Sequence, residues 1–153
     1  MPSSIMPAKT PEIVNRHKVG RNVLQASLAV CTVYFICMSA AHFFSVKYPI
    51  LFIYWDTPFY AYQDKIISFC AALYAALFYE AFADPEHLSG LAARSMLITT
   101  IGLSLVNISD ELNQVLDPTK NNIMFYWAQT VFISLIGLWL TFWRYRAGFA
   151  SLF

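Results

Sequence analysis

The stretch that decides the fold is NVLQASLAVCTVYFICMSAA, residues 22–41. It carries no charged side chain, and its few ionisable groups, two thiols and one phenol, are neutral at pH 7. A helix that crosses the hydrocarbon core of a bilayer needs roughly 20 predominantly apolar residues. Because this stretch meets that length, it predicts a first transmembrane helix.

Three more stretches lack charged side chains, namely residues 66–79, 95–109 and 121–143. The last is long enough to cross a bilayer, whereas the other two cover only about 21–23 Å at a helical rise of about 1.5 Å per residue. Apolar residues continue beyond their flanking charges, so both still indicate spans. The sequence predicts four transmembrane helices at about residues 22–45, 62–83, 91–114 and 123–143.

The overall composition also indicates a membrane protein. Hydrophobic residues make up 58% of the chain and charged residues 12%, whereas soluble domains have about half and a quarter. A length of 153 residues suits one domain, and a net charge of +1 indicates no nucleic-acid partner. We therefore predict an all-α, multi-pass integral membrane protein.

The distribution of Lys and Arg predicts the orientation, because these residues accumulate on the cytoplasmic side of membrane proteins. Most of them lie in an N-terminal tail (residues 1–21), in the second loop or just after the fourth span: Lys9, Arg16, Lys18, Arg21, Arg94, Arg144 and Arg146. The opposite side has Lys47, Lys65 and Lys120. Both termini are therefore expected on the cytoplasmic side. Short loops in a transmembrane domain of residues 22–146, before a short tail at 147–153, predict an up-down antiparallel four-helix bundle.

Small and weakly polar residues recur on one face of each predicted helix. Such residues let membrane helices approach closely and form hydrogen bonds with one another. We therefore expect the following residues to pack between the helices: Ser68, Ala72, Ala76, Thr100, Ser104, Thr130, Ser134 and Gly137.

A second polar group lies at the predicted outer ends of the spans. Its members are His42, Asp56, Asp64, Asn107, Glu111, Tyr126 and Gln129. Ionisable side chains at membrane depth are costly and often functional, and a histidine beside carboxylates can move protons or orient a ligand. One hypothesis is a ligand-binding pocket; the alternative is a ring of side chains that reach the headgroup layer. The spacing predicts no metal site, and no cofactor is identified.

Glu80 is a further acid, near the inner end of the second span. We expect it to be an interfacial acid that pairs with Arg94 or Arg144. A proton- or cation-coupled carboxylate is the functional alternative, but the sequence offers no second buried acid to support it.

The segment YPILFIYWDTPFYAYQD, residues 48–64, is unusually aromatic for a connection and includes most of the outer loop at 46–61. Tyr and Trp favour the headgroup layer, so the segment is expected to lie along the outer rim. Over a ligand site it would form a lid; in a complex it would form a docking surface. The proline-containing tail, expected to be disordered on its own, is the other predicted contact with a partner.

Three functions fit these observations. The preferred one is a small non-enzymatic membrane protein, an accessory or structural subunit of a larger membrane complex, because no nucleophile motif, phosphate-binding loop or histidine cluster is present. The alternative is a membrane enzyme or a protein that binds a lipid or another hydrophobic ligand in the outer pocket. The third is a small oligomeric transporter or channel. Membrane lipids are expected contacts in all three cases.

Overall fold

A computed structural model describes residues 11–49, 51, 52, 54, 57, 61–116 and 123–149. The described residues form helices and no strand. The helices are α1 (Pro11–Phe43), α2 (Ala61–Ala83), α3 (Pro85–Asn107), α4 (Asp110–Val115) and α5 (Ile123–Arg146). All except α4 are long and apolar enough to cross a membrane, by length and composition. The chain is therefore consistent with a multi-pass membrane protein.

The first helix is longer than the predicted span, because it begins at Pro11 rather than near residue 22. Proline suits the first position of a helix, where no amide hydrogen is needed. Glu12 lies in the first turn and pairs with Arg16 at 3.8 Å, one turn later. The tail predicted at residues 1–21 is thus helical from residue 11 onward, and residues 1–10 lie outside the described residues.

The predicted third span at 91–114 differs from the structure at both ends. The helix already starts at Pro85, with Asp84 as its N-cap, and it stops at Asn107. Ser109 then takes an extended backbone conformation, and its hydroxyl accepts a hydrogen bond of 3.3 Å from the amide of Leu112. This serine cap starts the separate short helix α4, which explains why the predicted third span forms two helices.

The buried positions of α1 and α5 follow a seven-residue spacing of alternating four- and three-residue steps. Along α1 the positions with this spacing are Leu24, Leu28, Cys31, Phe35 and Met38. Along α5 they are Tyr126, Thr130, Ile133, Gly137 and Leu140. This spacing is typical of helices that pack with side chains interlocked along their whole length.

An aromatic stack connects the first three helices in the middle of the core. The ring of Phe35 lies between those of Tyr74 and Phe78, with centroids 5.1 and 5.3 Å away and nearly parallel planes. The hydroxyl of Tyr74 forms a hydrogen bond of 2.6 Å with that of Thr99 on α3. Apolar packing and one polar contact therefore hold α1, α2 and α3 together at this depth.

Most residues expected to pack between helices face inward. Ser68, Thr130 and Gly137 are buried, and Thr100, Ser104 and Ser134 are half-buried. The prediction differs from the structure at Ala72 and Ala76, which are exposed; the neighbouring Ala71 and Ala75 face the core instead. A row of residues four apart rotates by about 40° at each step around a helix. A row that starts at Asp64 therefore leaves the core side, whereas the seven-residue spacing stays on it.

Candidate functional site at the His42 end

We call the end of the bundle where α1 stops and α2 begins the His42 end. There His42 is fully buried, and its Nδ1 lies 3.4 Å from Oδ1 of Asp64, whose side chain is 5% exposed. The ring of Phe52 stacks on the imidazole, with centroids 4.0 Å apart and planes 20° apart. One side chain from the loop thus covers an ionisable pair contributed by two helices.

The pair has unused hydrogen-bonding capacity. Nε2 of His42 and Oδ2 of Asp64 are buried, and neither has a hydrogen-bond partner in the part of the chain that the structure describes. Both atoms can form a further hydrogen bond, and a buried polar atom without one costs about 1–3 kcal/mol. A polar group from outside the chain would find two unsatisfied atoms here.

Asn107 connects the loop to two helices on the other side of this end. Its Oδ1 accepts a hydrogen bond of 2.9 Å from the Tyr54 hydroxyl, and its Nδ2 donates to Oγ1 of Thr130 at 2.9 Å. The Thr130 hydroxyl donates in turn to the carbonyl of Tyr126 at 3.0 Å. The edge of the Tyr54 ring also contacts Tyr126, with centroids 4.9 Å apart. The loop, α3 and α5 are thereby held in one arrangement.

Tyr54 has a backbone conformation that is uncommon for an aromatic residue. Its φ of 55° lies in the left-handed region. A turn holds it there, since the amide and hydroxyl of Thr57 donate to the Tyr54 carbonyl at 3.2 and 2.8 Å. Burial raises the pKa of the Tyr54 phenol to about 12. The hydroxyl therefore stays protonated at neutral pH and donates to Asn107.

Gln129 anchors the loop to α5. Its Nε2 donates to the backbone carbonyls of Pro49 and, at 3.4 Å, of Phe52. Its Oε1 is buried and has no partner among the described residues. The same side chain lines an open, mostly apolar cavity of about 270 Å³, whose walls include Tyr34 and Phe132. This cavity lies between α1, α3 and α5, just below the loop.

The structure therefore brings together five of the seven residues expected at the pocket. His42 with Asp64 forms one group. Asn107 and Tyr126 belong to another, because both contact Tyr54, and Gln129 contacts the loop residue that covers His42. Glu111 is not part of either group, because it lies exposed on α4. Asp56 lies outside the described residues.

Two site residues, Phe52 and Tyr54, had no individual signal in the sequence. They belong to the aromatic segment at 48–64, which predicts rings near the membrane surface without saying which ring covers which polar side chain. In the structure Phe52 lies over His42 and Tyr54 lies over Asn107. A buried histidine next to a run of aromatic residues is the pattern that would have indicated such a cover.

Among the described residues, no group of three or more His, Cys, Asp or Glu side chains could hold a metal ion. The chain matches no protein-family model, no curated protein and no solved structure. Its function therefore has to be inferred from the chemistry of its own residues.

Proposed function

We propose that this chain is a small non-enzymatic membrane protein and an accessory subunit of a larger membrane complex. In this proposal α1, α2, α3 and α5 cross the bilayer in up-down order. Both termini face the cytoplasm, and the His42 end faces the outer side. Partners bind through the tail at 1–21, the segment at 48–64 and the outward face of α2. Four helices long and apolar enough to span a membrane support the placement.

The outward face of α2 is the observation that carries the proposal. Ala72, Ala76 and Glu80 are all exposed and lie four residues apart, so they share one side of the helix. Small residues allow a second membrane helix to approach closely. A carboxylate that faces lipid is costly and is usually matched by a partner group. This face therefore suits a helix from another protein that donates a hydrogen bond or a positive charge to Glu80.

The expected intramolecular partners of Glu80 do not bind it. Nη1 of Arg144 donates instead to the carbonyl of Glu86 at 3.1 Å and to the hydroxyl of Ser89 at 2.9 Å. Arg94 forms no ion pair with Glu80 either, and no other described residue does so. The expectation of an internal pair is therefore wrong for the described residues, which leaves the carboxylate available to a partner.

The experiment is blue-native electrophoresis of membranes extracted in mild detergent, with identification of the chains that co-migrate. We expect the wild-type chain to migrate in a complex. Ala76→Leu should shift most of it to the free form, because the added side chain blocks close helix approach. Glu80→Gln should weaken the complex while leaving the helix surface unchanged in shape.

Ala26→Leu is the matched control, since it enlarges an exposed alanine on α1 instead of α2. It should leave the complex intact. A wild-type chain that migrates alone from its native membrane would overturn the proposal, as would an Ala76→Leu variant that remains fully in the complex.

A second candidate, ligand binding at the outer pocket, is supported by the buried unpartnered atoms of His42 and Asp64. The ligand would present a polar group to these atoms and an apolar body to the surrounding rings. His42→Ala and Asp64→Asn test this function. Variants that fold and keep full cellular function would eliminate the pocket and leave the subunit proposal untouched.

A further inference from the structure

A basic cavity lies at the opposite end of the bundle, which we call the Arg146 end. Its volume is about 300 Å³, and it is lined by Arg16, His17, Tyr145, Arg146 and Gly148. Two guanidinium groups and an imidazole therefore share one space, and no acidic side chain is among its described lining residues. Such a set of groups favours an anion.

Two glycines bring the start of α1 against the end of α5. A Cβ at Gly20 would lie 2.6 Å from the backbone carbonyl of Arg146, so only glycine allows this approach. Gly148 has a φ of 78°, and a Cβ there would lie 2.7 Å from Nδ1 of His17. The cationic side chains thus belong to two helices whose backbones are fixed against each other.

The end of α5 leaves few carbonyls to compete with an anion for these cations. The amide of Gly148 donates to the Tyr145 carbonyl at 3.1 Å, and that of Phe149 donates to the Arg144 carbonyl at 3.3 Å. This arrangement, with glycine in the left-handed conformation, satisfies carbonyls that a helix end normally exposes. The carbonyls of Arg144 and Tyr145 are therefore already paired and do not compete for the cations of the cavity.

The arginine side chains of the cavity have hydrogen-bond donors that an anion could use. Nε of Arg146 is buried and has no hydrogen-bond partner among the described residues. The only ion pair of Arg16 in the described part of the chain is with Glu12 at 3.8 Å, and the two side chains are 57% and 87% exposed. A pair so exposed to solvent contributes little stability. An anion could therefore bind both arginines without breaking a strong interaction.

The position along α5 indicates what kind of anion binds. The last turns of the helix carry Trp143, Arg144 and Tyr145, and Tyr145 is 68% exposed. Aromatic and basic residues concentrate where a membrane helix passes through the headgroup layer. The cavity lies next to these residues, and in the membrane placement proposed above this is the level of the lipid phosphate groups.

We propose that this cavity binds the phosphate group of an anionic lipid. The guanidinium groups of Arg16 and Arg146 donate to the phosphate oxygens, since their planar geometry matches such groups. His17 and Gly148 also line the cavity. Basic pockets between transmembrane helices are known to hold anionic headgroups. The inference rests on the membrane placement in the proposed function and not on its partner complex.

The test is native mass spectrometry of the full chain in non-ionic detergent, titrated with phosphatidylglycerol or phosphatidylcholine. The detergent micelle has no charged surface, so general attraction to a membrane does not contribute. We expect the wild-type chain to bind phosphatidylglycerol at least tenfold more tightly than phosphatidylcholine. Arg146→Gln and Arg16→Gln should each weaken phosphatidylglycerol binding by roughly tenfold, as expected for lost charge-assisted hydrogen bonds.

Lys18→Gln is the matched control, because it removes one charge from an exposed residue of the same helix that does not line the cavity. It should change binding less than twofold. Gly148→Ala removes no charge but places a Cβ 2.7 Å from Nδ1 of His17 in the cavity wall, and it should weaken binding as the arginine variants do. If Gly148→Ala does not fold, the comparison of the arginine variants with Lys18→Gln still tests the proposal.

A titration with inorganic phosphate separates the two sources of this anion. Competition by phosphate at millimolar concentration, with tighter binding of the lipid, supports the proposal. Binding of phosphate without preference for phosphatidylglycerol would overturn the lipid assignment, and equal losses in Lys18→Gln and Arg146→Gln would overturn the site. These outcomes are independent of Ala76→Leu, which tests the partner complex alone.

Discussion

The two ends of the bundle are held together by different means. At the His42 end, buried polar side chains and a stacked ring join the helices: His42 contacts Asp64 at 3.4 Å, and Asn107 contacts Tyr54 and Thr130 at 2.9 Å. At the Arg146 end, close backbone approach at Gly20 and Gly148 joins α1 to α5. The His42 end depends on contacts between complementary polar side chains. The contact of α1 with α5 at the Arg146 end depends on glycines, which have no side chain.

This difference predicts opposite responses to substitution. A change that removes a polar partner should damage the His42 end, where the remaining group is left buried and unpaired. A change that adds a single methyl group should damage the Arg146 end, where no space exists. The predictions below test this contrast, in order of decreasing expected effect.

The largest effect is expected for His42→Leu. It leaves the Asp64 carboxylate buried without its only hydrogen-bond partner among the described residues, a loss of about 3–5 kcal/mol in the free energy of unfolding. The double variant His42→Leu/Asp64→Leu should recover most of that stability, because apolar residues often replace a buried pair at little cost. Unfolding by SDS titration in mixed micelles measures both. Equal stability of the single and double variants would show that the pair is not coupled.

Gly20→Ala should have the next largest effect. The new Cβ would lie 2.6 Å from the Arg146 backbone, and such overpacking costs about 1–3 kcal/mol. Gly102→Ala is the matched control, since nothing lies within 4 Å of a Cβ at that position. It should be neutral or stabilising by up to about 1 kcal/mol, because alanine favours helix. If the two variants melt at the same temperature, close packing does not hold this end together.

Tyr54→Phe should lower the free energy of unfolding by about 1 kcal/mol, because Asn107 loses a partly buried hydrogen bond. The same residue gives a pH test. Its folded pKa of about 12 lies above the ordinary value of 10.0, so the unfolded chain loses its proton first as the pH rises. The contribution of Tyr54 to stability is therefore complete below about pH 10 and declines between about pH 10 and 12. Thermal unfolding across this range should show a smaller decline in Tyr54→Phe than in the wild type.

The smallest effect is expected at Asp84, which caps α3 at the Arg146 end. Its hydrogen bond with His87, at 2.9 Å, is the main cause that holds the pKa of the carboxyl below its ordinary value. The stabilisation is present above that ordinary value and is lost as the pH falls through the lower folded pKa. Asp84→Asn keeps a cap but removes the charge, so its melting temperature should vary less in acid. Glu86→Gln, two residues on and also exposed, is the control.

The sequence predicted four helices long and apolar enough to cross a membrane, because length and hydrophobicity add up along the chain. It predicted five residues of the His42 end because polar side chains at equal depth are costly unless they meet. It did not place Phe52 over His42 or Tyr54 over Asn107. Those contacts depend on the path of a loop, and a loop path is set by individual turns such as the one at Tyr54.

Two predictions from the sequence are wrong for simple physical reasons. The prediction of a continuous third span is wrong at Ser109, because the serine side chain caps a separate, mostly polar helix there. The prediction that residues four apart on α2 all face the core is wrong at Ala72 and Ala76. Four residues exceed one helical turn, so such a row moves around the helix. The same geometry gives α2 its outward small face, which sequence periodicity assigned to the interior.

The seven-residue spacing of buried positions has a consequence for how the length of the chain can vary. One residue inserted near Cys31 would rotate the rest of α1 by about 100° and turn His42 away from Asp64. An insertion of seven residues would restore the face but move His42 about 10 Å along the axis. Insertions and deletions should therefore be rejected within α1 and α5.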